Sequence, residues 1–162
     1  IQEDEPRGTA GALRMLAGHF TSPVFVTNCD VLLAINYREL LDFHAASGCV
    51  MTLAASLRNF RLPYGSCGIG PDGTLRDIEE KPELTRLVNT GLYAMNPGVF
   101  ERIPADGPYN MTTLMTDLME TGDRVAVFPV SSEAWLDVGQ WDEYRRATQL
   151  MTRGAAVPED LL

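Results

Sequence analysis

The sequence predicts an α/β fold in which helices cover a mostly parallel sheet that carries an inserted hairpin. In the first half, segments with apolar residues at helical spacing alternate with short β-branched runs. A central stretch rich in glycine and proline indicates two short strands joined by a turn. The 162 residues contain neither an internal repeat nor a low-complexity linker. This length therefore suits one domain, residues 1–162.

The first half alternates helix and strand, which favours parallel strands joined by helical crossovers. Its second helix has both ends marked. Asn36 is a suitable N-cap, Glu39 stands at the third helical position, and Gly48 follows the last turn. The predicted elements are a helix at 11–20, a strand at 23–30, a helix at 35–48 and a strand at 49–57.

The second half opens with the predicted hairpin and then returns to the same alternation. Pro71, Asp72 and Gly73 are favourable turn residues and separate two short extended pieces. The predicted elements are a hairpin within 64–82, a strand at 86–97, a helix at 109–122, a strand at 123–130 and a terminal helix at 140–151. The last helix has its acids early and its arginines late, as the helix dipole favours.

Composition and charge narrow the classes of function. The chain is 45% hydrophobic and 22% charged, and it has no apolar run of about 18 residues, so we expect a soluble protein without a membrane span. A net charge of −9 disfavours a nucleic-acid polymer as partner, because phosphate backbones bind clustered lysines and arginines. The three cysteines form no CxxC pair, which suits a reduced, cytoplasmic chain.

Two aspartates stand just after predicted strands, where open α/β sheets bind their ligands. Asp30 ends the 23–30 strand, and the apolar residues after it argue against a helix-capping role. Asp137 follows the 123–130 strand and is flanked by Trp135 and Gly139. Two carboxylates in one cleft suit Mg²⁺, with substrate phosphates and waters as the other ligands. The alternative is that Asp137 caps the last helix or turns a loop.

Two further motifs carry weaker signals. Glu80 and Lys81 precede Pro82 after an extended stretch. Such neighbours are usually a solvated surface pair, and the alternative is contact with a substrate phosphate and hydroxyls. Gly8 lies in a small-residue turn that enters a helix, where backbone N–H groups can face a phosphate or a planar ring. Helices that pack tightly on a sheet begin in the same way.

Seven motifs, taken in order, resemble the sugar-1-phosphate nucleotidyltransferases, also called nucleoside-diphosphate-sugar pyrophosphorylases. The resemblance runs from about residue 3 to about residue 150. The motifs are "EDEPRGTAGAL", "VFVTNCDVL", "LPYGSCGI", "IEEKP", "VNTGLYAMNPGVF", "YNMTTLMTDLM" and "EAWLDVGQWDEY". The resemblance implies a Rossmann-like sheet and transfer of a nucleotidyl group from a nucleoside triphosphate to a sugar-1-phosphate, with release of pyrophosphate.

The resemblance also implies roles for particular residues and Mg²⁺ as cofactor. Such chemistry needs positioning and charge neutralisation rather than a protein nucleophile. The implied metal ligands are Asp30 and Asp137, which with Lys81 are the implied catalytic residues. The implied nucleotide contacts are Gly8, Thr9 and Asn28. The implied sugar-phosphate contacts are Gly65, Glu80, Lys81, Asn89, Thr90 and Trp135.

The chain departs from the family pattern at its start. Members carry a glycine-rich GxGTRL loop that cradles the triphosphate and a lysine in a PK motif, and neither stands in these 162 residues. We therefore expect a sheet that is incomplete on its N-terminal side, the C-terminal portion of a longer enzyme, and no turnover by this chain alone. An open sheet edge would also favour homo-oligomers.

Two other functions are open as alternatives. A non-catalytic nucleotide-sugar binding or regulatory module would keep the fold without the triphosphate loop. A metal-dependent glycosyltransferase would need an Asp-x-Asp motif, whereas Val31 and Leu32 follow Asp30. The sequence does not specify the base or the sugar, since that discrimination depends on pocket geometry.

Overall fold

The computed structural model describes residues 2–3, 5–139 and 145. The terminal helix predicted at 140–151 lies outside these residues except for Arg145. The strands are β1 Val24–Thr27, β2 Val31–Leu33, β3 Met51–Arg61, β4 Ser66–Ile69, β5 Leu75–Glu79, β6 Glu83–Met95, β7 Val125–Val130 and β8 Trp135–Asp137. The helices are α1 Gly8–Gly11, α2 Tyr37–Ser47 and α3 Met111–Glu120, with 3-10 turns at Ala12–Leu16, Pro97–Arg102 and Ser132–Ala134.

The main sheet has four strands in the order β1-β6-β3-β7. Strand β6 pairs antiparallel with both β1 and β3, whereas β3 and β7 pair in parallel. Strands β1, β3 and β7 therefore run in one direction, and β6 alone of the four is reversed. This confirms the α/β class, and the reversal of β6 follows from its connection to β3 through the hairpin rather than through a crossover helix.

Strands β3 and β6 form a long ribbon that carries the predicted hairpin at its tip. Their pairing runs from Met51 opposite Met95 to Arg61 opposite Glu83. Strands β4 and β5 pair antiparallel beyond that point, as a separate two-stranded sheet. Their turn is closed by Asp72, whose Oδ1 accepts hydrogen bonds from the Thr74 amide at 3.3 Å and hydroxyl at 2.7 Å.

A third, very short sheet was not anticipated from the sequence. Strand β2 pairs antiparallel with β8, with Val31 opposite Asp137 and Leu33 opposite Trp135. Three-residue strands show too little alternation to be recognised from sequence. Asp137 therefore ends a strand, and its side chain also closes the turn that follows, because its Oδ1 accepts a hydrogen bond from the Gly139 amide at 3.1 Å.

Helices cover both faces of the main sheet. Alternate residues of β6 point to opposite faces. One face joins Tyr93 and Met95 to α3 and the 97–102 turn, and its buried members are Ala10, Met51, Tyr93, Met95, Val99, Phe100, Ile103, Met111, Leu114 and Leu118. The other face joins Leu92 and Ala94 to α2, and its buried members are Ile35, Leu40, Ala54, Leu92, Ala94 and Val130. Each large side chain buried here stabilises the fold by about 1.5–3 kcal/mol.

Both predicted ends of α2 are confirmed. Asn36 Oδ1 accepts hydrogen bonds from the amides of Arg38 and Glu39 at 3.0 and 3.3 Å, and its Nδ2 donates to Glu39 Oε1 at 3.1 Å. Gly48 ends the helix in the left-handed conformation, with φ +62°. These bonds satisfy amides that the first helical turn leaves without intrahelical partners.

The helix predicted at 11–20 is shorter than expected. Helix α1 covers four residues and continues as a 3-10 turn that ends at Leu16. Gly18 has φ +78°, a conformation that ends a right-handed helix. Over the described residues, no helix has the length and apolar character needed to cross a membrane.

Candidate active site

The wall of the candidate site is an irregularity in β6. Between the pairs Leu53–Tyr93 and Ala55–Asn89, strand β6 has three residues where β3 has one. Gly91 lies in this bulge with φ +83°, a value that favours glycine. Bulges re-aim side chains next to active sites. Here the irregularity presents the predicted "VNTG" residues to a surface pocket.

The side chain of Asn89 is held in place inside the bulge. Its Oδ1 accepts a hydrogen bond from the Gly91 amide at 2.9 Å, and its Nδ2 donates to the Tyr93 hydroxyl at 2.6 Å. Burial raises the pKa of Tyr93, against a smaller lowering by Asn89, so its hydroxyl stays protonated at neutral pH. Thr90 is buried, and its hydroxyl donates to the Ala54 carbonyl at 2.9 Å. Thr90 therefore supports the bulge through its side chain.

The two predicted metal ligands face each other across the short sheet. Val31 and Asp137 pair, and the Val138 amide donates to the Asp30 carbonyl at 2.9 Å. A Cβ placed on Gly139 would lie 2.8 Å from Asp30 Oδ2 and 3.1 Å from Asp137 Oδ1. The Gly139 amide donates to that same Asp137 oxygen at 3.1 Å. Gly139 thus leaves a space on which both carboxylates converge.

This donor set fits a hard divalent cation. Within the part of the chain that the structure describes, no group of three or more His, Cys, Asp or Glu side chains is placed to hold a metal. The protein would therefore supply two carboxylates from Asp30 and Asp137. Mg²⁺ is commonly held by one or two carboxylates while waters and substrate phosphates fill the remaining positions. Asp30 is exposed and Asp137 is half-buried, so a ligand can reach the ion.

Six of the predicted site residues line one pocket of about 160 Å³. They come from the connection between β1 and β2, from the β6 bulge and from β8, three separate stretches that the fold brings together. The complete lining is Asn28, Asp30, Val31, Asn89, Thr90, Gly91, Tyr93, Trp135 and Asp137. The structure thus places the predicted metal ligands beside part of the predicted sugar-phosphate pocket.

Trp135 is held from the main sheet by Arg58 of β3. The Arg58 guanidinium carbon lies 4.6 Å from the centre of the indole ring, in cation–π geometry. The guanidinium also donates a hydrogen bond to the Trp135 carbonyl at 3.4 Å. The indole Nε1 is buried and has no hydrogen-bond partner within the described residues.

Gly65, Glu80 and Lys81 form a second group at the base of the hairpin and do not line this pocket. A Cβ on Gly65 would lie 3.3 Å from Glu80 Oε2. Lys81 Nζ is 3.8 Å from Glu80 Oε1, and both side chains are exposed. Among the non-glycine residues described, Lys81 alone has a positive φ, +48°. Such backbone costs about 1–3 kcal/mol and is concentrated at functional positions.

Gly8 and Thr9 lie against the start of α3 and likewise do not line the pocket. A Cβ on Gly8, whose φ is +73°, would lie 2.8 Å from Asn110 Oδ1. The Thr9 hydroxyl oxygen accepts a hydrogen bond from the Met111 amide at 2.9 Å. The structure therefore gives both residues a packing role, and their nucleotide contact stays a prediction.

Sequence reasoning missed Gly91, Tyr93 and Arg58. A glycine inside a strand pattern signals a bulge, so Gly91 could have been found. No sequence pattern indicated Tyr93 or Arg58, because Tyr93 acts through Asn89 and Arg58 acts through Trp135. Neither histidine lines this pocket: His44 is buried between Thr52 and Asn96, at 2.8 and 3.0 Å, and His19 is exposed.

Comparison with known proteins identifies the family of the chain. Residues 1–154 match the family described as Nucleotidyl transferase. The chain belongs to this family.

Two curated relatives show where the similarity lies. The chain is 31% identical to mannose-1-phosphate guanyltransferase of Kluyveromyces lactis, over 91% of this chain and 42% of that protein. It is 29% identical to mannose-1-phosphate guanylyltransferase catalytic subunit beta of Drosophila pseudoobscura, over 85% of this chain and 38% of that protein. The chain spans about two fifths of the length of these relatives.

A solved structure supports the fold. The crystal structure of HddC from Yersinia pseudotuberculosis matches with a TM-score of 0.65 and 21% identity, over 93% of this chain and 65% of that one. The same protein has also been solved complexed with GMP-PN. At this identity the likeness shows the Rossmann-like α/β arrangement.

Proposed function

We propose that this chain is part of an enzyme that transfers a nucleotidyl group from a nucleoside triphosphate to a sugar-1-phosphate. One observation carries the proposal: the carboxylates of Asp30 and Asp137 converge above Gly139, beside the β6 bulge. Two carboxylates in such a pocket suit Mg²⁺ bound together with phosphates. Family membership and the names of the two relatives support the same reaction.

In the proposed reaction, a phosphate oxygen of the sugar-1-phosphate attacks the α-phosphorus of the triphosphate. The new P–O bond forms as the bond to the bridging oxygen breaks, and pyrophosphate leaves with that oxygen. Both reactants are anions, so catalysis depends on positioning and on charge neutralisation. Mg²⁺, when bound, would offset the negative charge of the phosphates.

In this reaction, the residues of the pocket and those of the hairpin base would have different roles. Asp30 and Asp137 would hold the ion, and the ordered Asn89 would shape the floor of the pocket where the sugar phosphate lies. From the hairpin base, Lys81 would reach the phosphate and Glu80 would accept hydrogen bonds from sugar hydroxyls. Both are exposed, so their side chains can turn towards a ligand.

The implied nucleotide contacts are proposed for Asn28, Gly8 and Thr9. Asn28 has the stronger support, since it lines the pocket with the two carboxylates. GTP and mannose-1-phosphate are the first substrates to test. The relatives are named for mannose-1-phosphate and guanyl transfer, and HddC was solved complexed with GMP-PN.

A thermal-shift measurement tests the proposal. We expect mannose-1-phosphate with Mg²⁺ to raise the melting temperature of the chain, because a ligand that binds only the folded state stabilises it by mass action. Mannose with Mg²⁺ should not do so. Asp30→Asn and Asp137→Asn should abolish the shift, whereas Asp42→Asn, an exposed aspartate on α2, should keep it. A shift that survives in both site variants would rule out the metal role.

Turnover needs a separate test. The triphosphate-cradling GxGTRL loop does not stand in these 162 residues. We therefore propose that the chain binds the sugar-1-phosphate but does not release pyrophosphate unaided. Pyrophosphate release from GTP and mannose-1-phosphate at rates typical of enzymes, about 1 s⁻¹ or faster, would contradict this.

A further inference from the structure

We propose that Arg58 is a positioning residue that holds Trp135 and, through it, sets Asp137 opposite Asp30. The proposal rests on the proposed metal role of the two aspartates. Arg58 does not line the pocket, and its contacts described above are with Trp135. Arg58 would therefore act through its neighbour.

Asp137 belongs to strand β8, which has few backbone hydrogen bonds to hold it in place. Strand β8 has three residues and, over the described residues, pairs only with β2, which also has three. Isolated two-stranded pairs are marginal in stability, even when they are longer. Neither strand belongs to the four-stranded sheet that carries Asn89 and Gly91. Contacts from the main sheet to β8 must therefore keep Asp137 in register with the pocket wall.

Arg58 supplies such a contact from β3, two residues beyond the point where that strand stops pairing with β7 at Ser56. At this position β3 pairs with β6, with Arg58 opposite Arg86. Its guanidinium holds the indole face and the backbone carbonyl of Trp135 together. A planar guanidinium can stack and donate hydrogen bonds at once, which makes this arrangement specific to arginine.

The position of Trp135 bears directly on Asp137. Residues two apart on a strand point to the same side, so the indole ring and the Asp137 carboxylate share one face of β8. Both line the pocket. The indole Nε1 has no hydrogen-bond partner within the described residues, so no hydrogen bond of the indole orients the ring there. A Trp135 released from Arg58 would let β8 shift and separate the two carboxylates.

Binding of Mn²⁺, measured by electron paramagnetic resonance with Mg²⁺ as competitor, tests this role. The variant is Arg58→Met, which keeps much of the aliphatic volume and removes the guanidinium. Arg86→Met is its matched control: Arg86 stands opposite Arg58 on β6, is exposed, and donates to the Thr85 carbonyl. Both changes remove one positive charge from the same ribbon.

We expect Arg58→Met to weaken Mn²⁺ binding at least about tenfold, as loss of groups that orient metal ligands typically does. Arg86→Met should bind Mn²⁺ as the unaltered chain does. Equal affinities for the two variants would overturn the proposal. Circular dichroism confirms that each variant is folded, and if Arg58→Met is not, Arg58→Gln replaces it.

The emission of Trp135 gives a second readout that needs no metal. The chain has two tryptophans, so the measurement uses a Trp141→Phe background. Arg58→Met should shift the emission maximum or intensity of Trp135, and Arg86→Met should not. If Asp30→Asn does not abolish Mn²⁺ binding, or if the unaltered chain binds no Mn²⁺, the proposed metal role of the two aspartates fails. The emission of Trp135 then tests the contact with Arg58 by itself. Identical spectra for the two variants would refute it.

Discussion

The side-chain nitrogen of Asn28 lies 2.8 Å from the point where a Cβ on Gly91 would stand. The Asn28 amide also donates a hydrogen bond to the Gly91 carbonyl at 2.9 Å. The end of β1 is therefore seated directly on the bulge of β6. The absence of a side chain at position 91 is what lets Asn28 and Asn89 line one pocket.

Replacement of Gly91 by alanine should destabilise the chain beyond the cost of its backbone conformation. A non-glycine residue with φ near +83° costs about 1–3 kcal/mol, and the new Cβ must also displace Asn28. Gly122→Ala is the control, since Gly122 has φ +84° and open space around its Cβ position. Urea unfolding measures both. Equal losses of unfolding free energy would show that the contact with Asn28 is irrelevant.

Replacement of Gly139 by alanine should weaken binding of a divalent ion without unfolding the chain. The added methyl group would come within 2.8 Å of Asp30 and 3.1 Å of Asp137, so both carboxylates must move. We expect Mn²⁺ affinity to fall on the order of tenfold, the range seen when metal ligands lose their support. Gly98→Ala, at a position with nothing within 4 Å, should bind normally. Unchanged affinity in Gly139→Ala would place the ion elsewhere.

Replacement of Thr9 by alanine should loosen the start of α3. The N-cap residue Asn110 makes no side-chain capping bond, and the Thr9 hydroxyl caps Met111 from a distant part of the chain instead. Loss of a helix cap costs about 0.5–2 kcal/mol. Thr9→Ser keeps the hydroxyl and should retain most of the stability. If the two variants unfold alike in urea, the hydroxyl has no structural role.

Replacement of Tyr109 by phenylalanine should remove a pH dependence of stability. Burial, together with the hydrogen bond to Asp117 and its negative charge, raises the pKa of Tyr109 from 10.0 to about 12. The folded chain therefore holds this proton more tightly than the unfolded chain does. The contribution is complete below pH 10 and is lost as the pH rises from 10 towards 12.

Urea unfolding of both proteins across this range measures the effect. The stability of the unaltered chain relative to Tyr109→Phe should be constant below pH 10 and should fall above it. Asp117→Asn should make that fall smaller, because it removes the charge that Tyr109 faces. A constant difference up to pH 12 would contradict the argument.

Local signals in the sequence determined the regular elements well. The bounds of α2 followed from Asn36, Glu39 and Gly48, because capping is a matter of a few neighbouring residues. The hairpin followed from Pro71, Asp72 and Gly73 for the same reason. The helix at 11–20 was overestimated, since apolar spacing continues past the glycine that ends it.

The sequence by itself determined the α/β class, the inserted hairpin and the residue types that suit magnesium and phosphate, because periodicity and turn chemistry are local. Only the tertiary structure decided which of those residues meet. Asp30 and Asp137 meet because β2 pairs with β8. Glu80 and Lys81 lie with the hairpin, and Arg58 reaches the site through Trp135. Pairings between strands that are distant in sequence depend on packing over the whole chain, so they cannot be predicted from any short stretch of sequence.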